Sequence, residues 1–467
     1  MRFPVELLQR DLGGSAARRW RQTELAQELR RLIESGVLGD EVQLPSERTL
    51  AAQLGCSRGT VTNAYGLLRE HGLLNAQQGS GTTVRRVGPP APEPRWSSAS
   101  VSVLPGRAID LTVAAAEPLP DLMSASIAAA VADGTWINNP GYAVRGLPEL
   151  REEVVRWYVE RGVPTRPEQV LITSGAQQGL ALTTALLAER GVRAAAEAPS
   201  YAGALALFRR ARLRVSGISR EPDRLDLDRL TWLAAAPQPP AFFYCATQWH
   251  NPLGGSLDLE NAQKLAELTE RYQLPVLCDD ALVDTGPGSQ PLLCALNSQV
   301  ISVGSVSKLG WGGLRVGWVR ASPQEISTLA ARKAEADLAT GAIDQRVAVE
   351  VMRQWEAIRG AQLIRLQGRL QALTSALEEY LPEWSYQVPA GGVALWITLP
   401  DRDSASLCRA AARHGVRLVP GLAYQVANGP DDHVRIPFTL PEGTLREAVQ
   451  RLAIAWREAD TELGATV

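Results

Sequence analysis

The chain is short of lysine, cysteine and histidine, and these shortages exclude several kinds of site. Its 467 residues include only three lysines, five cysteines and four histidines. The cysteines are odd in number and widely spaced, without a Cys-x-x-Cys pair, so neither a disulfide framework nor a zinc site is predicted. No apolar stretch approaches the ~18 residues of a membrane span, and the N-terminus has no apolar signal core. We therefore expect a cytoplasmic protein with reduced thiols, no metal and no membrane contact.

Charge is nearly balanced overall but differs between the two ends of the chain. The net charge is −2. Residues 1–86 nevertheless carry twelve arginines against nine acidic residues and contain no lysine. A mildly basic head on an acidic body is compatible with nucleic-acid binding by the head, although this excess alone is weak evidence.

Proline and serine mark one boundary along the chain. The stretch VGPPAPEPRWSSASVSVL begins at Val87 and has no hydrophobic periodicity. Proline fixes φ and removes backbone donors, so residues 87–108 are predicted to form a semi-extended linker. A long loop within a single domain is the alternative. The predicted domains are residues 1–86 and 109–467.

The larger part alternates short apolar runs with amphipathic helical stretches. Four such runs are Gln169–Thr173, Ala241–Cys245, Pro275–Cys278 and Val300–Val303. This alternation predicts an α/β domain with a largely parallel sheet. Gly392–Thr398 alternates like an antiparallel strand and, with flanking helices, indicates a smaller C-terminal α+β subdomain.

The head has the pattern of a winged helix-turn-helix. Apolar spacing predicts a helix over Arg18–Ser35, and Ser46 can cap a second helix that ends at Gly55. A third helix opens at Ser57. Leu73–Val84, with glycines in its middle, is typical of a two-stranded wing. Two helices joined by a short glycine turn form a helix-turn-helix, although a helical bundle with a hairpin and no DNA role fits the periodicity equally well.

Lys308 is the candidate reactive residue. It follows the β-branched run VISVGSVS and precedes three glycines and Arg315. An amine among hydroxyls and anion-binding donors suits a Schiff-base lysine beside a cofactor phosphate. An ordinary surface lysine after a strand is the alternative. Lys264 and Lys333 lie in charged helical stretches and are predicted to be solvated.

Other segments fit the same cofactor, each with a plainer alternative. Thr173–Gly179 joins a strand to a helix whose free backbone donors can hold phosphate, although such junctions are common. Tyr201 can stack on a ring or fill the core. Asn251 lies in a turn and offers an amide. Asp279 ends an apolar strand, where it can hold a pyridinium nitrogen protonated or simply cap a turn.

Two family resemblances turn these patterns into specific expectations. The segment LPSERTLAAQLGCSRGTVTNAYGLLREHGLLNAQQGSGTTV resembles the winged-helix domain of the GntR superfamily. The likeness implies DNA contacts by Arg48, Ser57, Arg58, Thr60 and Gly79. One departure, Gly39-Asp40-Glu41 in place of Pro-Gly, lies in the turn after the first helix.

Roughly residues 110–460 resemble the fold type I aminotransferases. The matching segments are PGYAVRGLPELREEV, TSGAQQGL, EAPSY, HNPLGG, CDD, SVSK, LRVGW and VRIPF. The likeness implies that Lys308 forms a Schiff base with pyridoxal 5′-phosphate (PLP). It implies phosphate binding by Gly175, Ala176, Ser305, Ser307 and Arg315, with Tyr142 from a partner subunit. It also implies that Tyr201 stacks on the ring, that Asn251 meets the phenolic oxygen and Asp279 the ring nitrogen, and that Arg435 takes an amino-acid carboxylate.

The combination resembles the MocR family of bacterial transcriptional regulators. That likeness implies a homodimer that binds a double-stranded DNA operator under the control of PLP, an amino-acid effector, or both. One departure bears on chemistry: Ala281 stands where the family pattern has a tyrosine that donates to the cofactor's phenolic oxygen. Two alternatives are an aminotransferase with an appended DNA-binding domain and a cofactor-free dimerisation module.

Overall fold

The computed structural model describes eleven segments of the chain. They are residues 2–13, 19–34, 36–39, 41–77, 81–85, 108–115, 117–134, 140–288, 290–400, 403–426 and 431–464. Among these residues, no helix is long and apolar enough to cross a membrane.

The head folds as the predicted winged helix with one helix that the sequence did not reveal. Its elements are α1 (Val5–Asp11), α2 (Gln22–Glu34), α3 (Glu47–Leu54), α4 (Arg58–Glu70), β1 (Leu74–Gln77) and β2 (Gly81–Val84). Ser46 caps α3 through a 3.2 Å bond from Thr49 N, and Gly55 ends it at φ 63°. β1 and β2 pair antiparallel as the wing. Helix α1, which was not predicted, buries Leu8 in the head's own core.

The larger part is built on a seven-stranded mixed sheet, which confirms the α/β prediction. Its strand order is β4-β10-β9-β8-β7-β5-β6, and only β10 runs antiparallel to its neighbours. The strands are β4 (Val170–Thr173), β5 (Arg193–Ala198), β6 (Arg214–Ser219), β7 (Phe243–Cys245), β8 (Val276–Asp279), β9 (Ile301–Ser305) and β10 (Gly317–Arg320). The apolar residues of the four predicted runs, which form the edge strand β4 and the central parallel strands β7, β8 and β9, are buried.

Helices connect these strands and cover the sheet. They are α5 (Pro120–Asp133), α6 (Pro148–Val159), α7 (Ala176–Ala188), α8 (Ala202–Arg210), α9 (Leu227–Ala234), α10 (Leu259–Arg271), α11 (Leu293–Leu296), α12 (Pro323–Asp337) and α13 (Ala342–Arg353). Short apolar strands and amphipathic helices of this kind stack into layers around one core. The polar residues that follow each parallel strand are thereby brought to one edge of the sheet.

The C-terminal part forms the predicted smaller α+β subdomain. A three-stranded antiparallel sheet has the order β11 (Ser385–Tyr386), β12 (Ala394–Thr398) and β14 (His433–Pro437). It packs with α14 (Trp355–Tyr380), α15 (Ser404–Arg413) and α16 (Glu442–Gly464). The strand β3 (Ile109–Asp110) pairs with β13 (Val416–Arg417), so the chain enters the large unit along this subdomain.

Candidate cofactor pocket and nucleic-acid interface

One cleft is lined by five of the ten predicted cofactor residues, namely Lys308, Ala176, Tyr201, Asn251 and Asp279. Its space, part of which is open to solvent, measures about 520 Å³, and it lies where the parallel strands β7 and β8 end, the usual ligand position in open α/β sheets. The lining residues are Ala176, Gln177, Leu180, Tyr201, Tyr244, Ala246, His250, Asn251, Asp279, Ala281, Leu282 and Lys308. Topology therefore brings together residues as far apart in the sequence as Ala176 and Lys308.

Lys308 offers its amine to this cleft. It follows β9, and its Nζ donates to the carbonyl of Ala114 at 2.7 Å. Burial lowers the pKa of Lys308 to about 8, with further lowering from Arg435 and Arg315 and an opposing effect of Asp279. A larger share of the amine is therefore neutral, and nucleophilic, than in an ordinary lysine.

Asp279 ends β8 at the base of the cleft. Its carboxylate accepts hydrogen bonds from the Tyr244 hydroxyl and from the Ala281 backbone N–H, each at 3.1 Å. Burial raises its pKa, and the two donors act against that rise. Sequence reasoning missed Tyr244. The only available signal was its place on a strand next to the one that carries Asp279.

A candidate anion seat lies at the N-terminus of α7. Gly175 precedes that helix at φ 85°, and a Cβ atom there would come within 2.7 Å of Arg315 Nη2. Arg315 is held by a 3.1 Å bond from Nη2 to the Ser174 carbonyl. The seat therefore combines a helix N-terminus, a guanidinium and a position that only glycine leaves open, a set of groups suited to phosphate.

Ser305 at the end of β9 and Ser307 just after it are hydrogen-bonded to each other. Ser305 Oγ donates to Ser307 Oγ at 2.9 Å, and Ser307 N donates to Ser305 Oγ at 3.1 Å. Both side chains are buried. They shape the turn that leads into Lys308.

The prediction that Lys333 is solvated was wrong. Its side chain is fully buried at the end of α12, and its Nζ lies 2.6 Å from the Asp337 carboxylate. Asp337 also accepts a 2.6 Å bond from Gln178 and a 3.3 Å bond from the Ser174 hydroxyl. Helical charge spacing identified the helix correctly but could not show that this face packs behind the anion seat. Lys264, by contrast, is exposed.

The side walls of the cleft are an aromatic ring and an amide. Tyr201 precedes α8, and its hydroxyl donates to Gln177 Oε1 at 3.1 Å. Burial, aided by Asp279, raises the pKa of Tyr201 to about 12, so the phenol stays protonated. Asn251 Oδ1 is buried and has no hydrogen-bond partner within the described part of the chain. Ala281 and Leu282 form an apolar part of the wall, since neither side chain provides a hydroxyl.

A buried ionic cluster behind the amide wall was not predicted. Glu197 accepts a 2.6 Å bond from Arg220, and its second oxygen accepts a 2.8 Å bond from Ala246 N and lies 3.2 Å from His250 Nε2. Although burial opposes its charge, Arg220 and His250 lower the pKa of Glu197. Burial also lowers the pKa of His250. Glu197 lies in the EAPSY segment, but its partners come from other strands, so no local signal identified the cluster.

Arg435 is buried, whereas Tyr142 is exposed. Arg435 lies on β14, is buried, and donates from Nη2 to the Thr112 carbonyl at 2.6 Å. Its guanidinium carbon lies 5.4 Å from the centre of the Tyr424 ring, and its Nε has no partner among the described residues. Tyr142 is 69% exposed on the surface of the chain and does not line the cleft.

The helix-turn-helix exposes the residues predicted to meet DNA. Ser57 caps α4 through a 3.1 Å bond from Thr60 N. The side chain of Arg58 is 72% exposed and lies 3.6 Å from Glu47, and Arg48 is exposed on α3. Gly79 lies outside the described residues. An exposed cation and hydroxyl at the N-terminus of the second helix match the position from which such helices contact the major groove.

The fold and the cleft define a winged helix joined to an aminotransferase-like domain. Residues 110–452 match the family model "Aminotransferase class I and II", and residues 21–84 match "Bacterial regulatory proteins, gntR family".

Individual relatives match either the larger part of the chain or nearly its whole length. The chain is 31% identical over 356 residues to the 2-aminoadipate transaminase of Thermus thermophilus, covering 74% of this chain and 89% of that protein. It is 26% identical to the HTH-type transcriptional regulator TauR of Rhodobacter capsulatus, covering 96% and 99% of the two chains. A crystal structure of the α-aminoadipate aminotransferase LysN from Thermus thermophilus superposes with a TM-score of 0.68 at 28% identity, covering 76% of this chain and 93% of that one. That structure is complexed with N-(5′-phosphopyridoxyl)-L-leucine.

The chain belongs to the class I and II aminotransferase family and carries a GntR-type helix-turn-helix domain, the arrangement of the MocR regulators. It is a transcriptional regulator of that type with an aminotransferase-like domain. The resemblance drawn from its sequence motifs is confirmed.

Proposed function

We propose that this regulator binds PLP and that its affinity for DNA changes with PLP, with an amino-acid effector, or with both. One observation carries the proposal: a single chain presents an exposed recognition helix beginning at Arg58 and a cleft that suits PLP at three separate points. These points are the Lys308 amine, the Asp279 carboxyl group and the anion seat at Gly175.

The residues present fit the cofactor by their chemistry. Lys308 supplies an amine of lowered pKa for covalent attachment, and the carboxyl of Asp279 suits the ring nitrogen. The phosphate would be held by Gly175, Ala176, Ser305, Ser307 and Arg315. Tyr201 and Asn251 would flank the ring. When bound, PLP supplies an electrophilic carbonyl and an electron sink.

Arg435 is our candidate for holding the carboxylate of an amino-acid effector. It is buried, one of its nitrogens is fixed by the Thr112 carbonyl, and its Nε has no partner among the residues described. A buried guanidinium with donors to spare is suited to a carboxylate because its planar fork can meet both oxygens.

An aminotransferase with an appended DNA-binding domain is the second candidate. The observation that favours it is the 31% identity to a 2-aminoadipate transaminase. Against it stands the apolar wall at Ala281 and Leu282, which offers no hydroxyl to tune the cofactor. We therefore favour a regulatory function over catalysis of transamination.

We also propose that the working form is a homodimer on a paired DNA site. Tyr142 and Trp311 are exposed aromatic residues of the large domain, and Tyr142 could reach the cleft of a second copy. A two-fold dimer would present two recognition helices to two half-sites.

Fluorescence anisotropy with operator DNA tests the regulation. The wild-type protein is titrated without PLP, with PLP, and with PLP plus a panel of amino acids. Arg435→Ala should keep PLP and basal DNA binding yet lose the amino-acid response, since a lost buried carboxylate pair costs about 2–5 kcal/mol. Arg446→Ala, which removes an exposed arginine paired with Glu379, is the matched control. A normal amino-acid response in Arg435→Ala would show that the carboxylate binds elsewhere. Absence of an amino-acid response in the wild-type protein would show that PLP alone is the signal.

A further inference from the structure

The winged helix is docked on the edge of the large domain by a buried contact. Phe3 packs edge-on against Trp232 of α9, with ring centroids 5.1 Å apart. The Arg229 guanidinium lies 5.2 Å from the Phe3 ring and is 1% exposed. Its Nη2 donates to the Gly36 carbonyl of the head, and its Nε donates to the Gly217 carbonyl of β6. The head is therefore attached by packing as well as by the linker.

Ion pairs surround this contact. Arg10 of α1 lies 2.6 Å from Asp226 and 3.1 Å from Asp228, at the start of α9. On the other side, Glu41 lies 3.2 Å from Arg214 and 3.4 Å from Arg193. The partners of the head thus come from β5, β6 and α9, the outer edge of the seven-stranded sheet.

A continuous set of polar contacts leads inward from this interface. Asp226 caps α9 by accepting a 3.1 Å bond from Arg229 N, and Asp226 N donates to Ser219 O of β6 at 3.0 Å. The next residue of the chain after β6 is Arg220, which is fully buried at its side chain. The contact therefore runs from α1 of the head through α9 to the end of β6.

From Arg220 the contacts reach the wall of the cleft. Its Nη1 donates to Glu197 at 2.6 Å, and its backbone N–H donates to Ala198 O at 3.1 Å. Glu197 in turn bonds Ala246 N and lies beside His250. Both Ala246 and His250 line the cleft. A ligand that orders Ala246 and His250 therefore also orders the Glu197 carboxylate, which is the hydrogen-bond partner of Arg220.

We propose that the Glu197–Arg220 ion pair couples the occupancy of the cleft to the docking of the winged helix on α9. This inference rests on the proposed function and specifies how its regulation works. The two states are a docked head, held through Arg229 and Arg10, and a released head. A ligand that orders the wall at Ala246 and His250 holds the β6–α9 segment in place and favours the docked state. Glu197 and Arg220 are positioning residues, since neither lines the cleft.

Hydrogen exchange on the full-length chain tests the coupling directly. Amide exchange is measured by mass spectrometry with and without saturating PLP, while absorbance establishes that PLP is bound. In the wild-type protein, PLP should slow exchange in Val5–Asp11 and Leu227–Ala234 by about 5-fold or more, the lower end of usual allosteric coupling factors.

The variants separate coupling from simple damage. Because Arg220→Met alone leaves a buried charge, it is combined with Glu197→Gln; the double variant should bind PLP but show less than about a 2-fold effect at α1. Arg220→Lys keeps the charge and should restore part of the effect. Arg10→Gln should speed exchange in α1 whether or not PLP is present. Arg332→Gln breaks an exposed pair with Glu189 outside these contacts and should behave as wild type.

Each outcome decides between the coupling and the proposed function. No change at α1 and α9 in wild-type protein that has bound PLP overturns the coupling and leaves cofactor binding intact. An undiminished effect in the double variant overturns the route through Glu197 and Arg220. Slowed exchange without any change in DNA affinity supports the coupling and contradicts regulation of DNA binding by PLP alone. Absence of PLP binding removes the proposed function and the coupling together.

Discussion

The lowered pKa of Lys308 leads to a quantitative prediction about cofactor capture. Only the neutral amine attacks a carbonyl, so the rate of covalent capture of PLP follows the deprotonated fraction. Burial, Arg435 and Arg315 lower the pKa of Lys308 to about 8. At pH 7 roughly one amine in eleven is then neutral, against roughly one in 3,000 for a pKa of 10.5, a difference of about 300-fold.

The sign of the pH dependence follows from the same values. The ammonium form holds the rate down below the pKa, so capture should quicken as pH rises and level off above about 8. Arg435→Gln removes a positive charge that disfavours the ammonium, so it should move the midpoint to higher pH and slow capture at neutrality. Asp279→Asn removes the opposing negative charge and should move the midpoint to lower pH.

Stopped-flow absorbance with protein in excess over PLP measures this rate across the pH range. A lysine model amine, run in parallel, corrects for the ionisations of PLP itself, and Lys308→Ala should show no covalent capture. A midpoint near the ordinary lysine value, or a rate that does not change between about pH 6 and 8, would refute the argument. Opposite shifts in the two charge variants would show that the neighbouring charges act as the structure indicates.

Two further predictions concern attachment and DNA recognition. Borohydride reduction of the PLP-loaded protein, followed by peptide mapping, should label Lys308 alone. Lys264 is an exposed lysine paired with Glu260 and lies outside the cleft, and Lys333 is buried against Asp337. A label on Lys264 or Lys333 would show that PLP attaches elsewhere. Arg58→Ala should weaken DNA binding by about 1–3 kcal/mol in anisotropy titrations at fixed salt if it contacts a base edge, with Arg31→Ala as a control that should change little. Unchanged binding would remove Arg58 from the recognition set.

Local sequence patterns were sufficient for most of the elements and for part of the candidate site. Short apolar runs between amphipathic helices predicted the parallel strands, because a strand buried on both faces needs apolar residues at consecutive positions. Ser46 and Gly55 marked the ends of α3, since caps depend only on neighbouring backbone groups. Lys308 and Asp279 were selected as candidates because each lies at or just after the carboxyl end of a strand.

Tertiary structure decided the features that depend on contacts between distant segments. Lys333 was predicted to be solvated, yet packing behind the anion seat buries it against Asp337. Tyr244 meets Asp279 only because β7 lies beside β8. Arg220 meets Glu197 from the neighbouring strand β6, and α1 of the head meets α9 across more than 200 residues. The residues next to a charged group or a hydroxyl in the sequence are the same whether that group is solvated or hydrogen-bonded. The sequence alone therefore determined which polar groups the chain carries, and the tertiary structure determined which partners they meet.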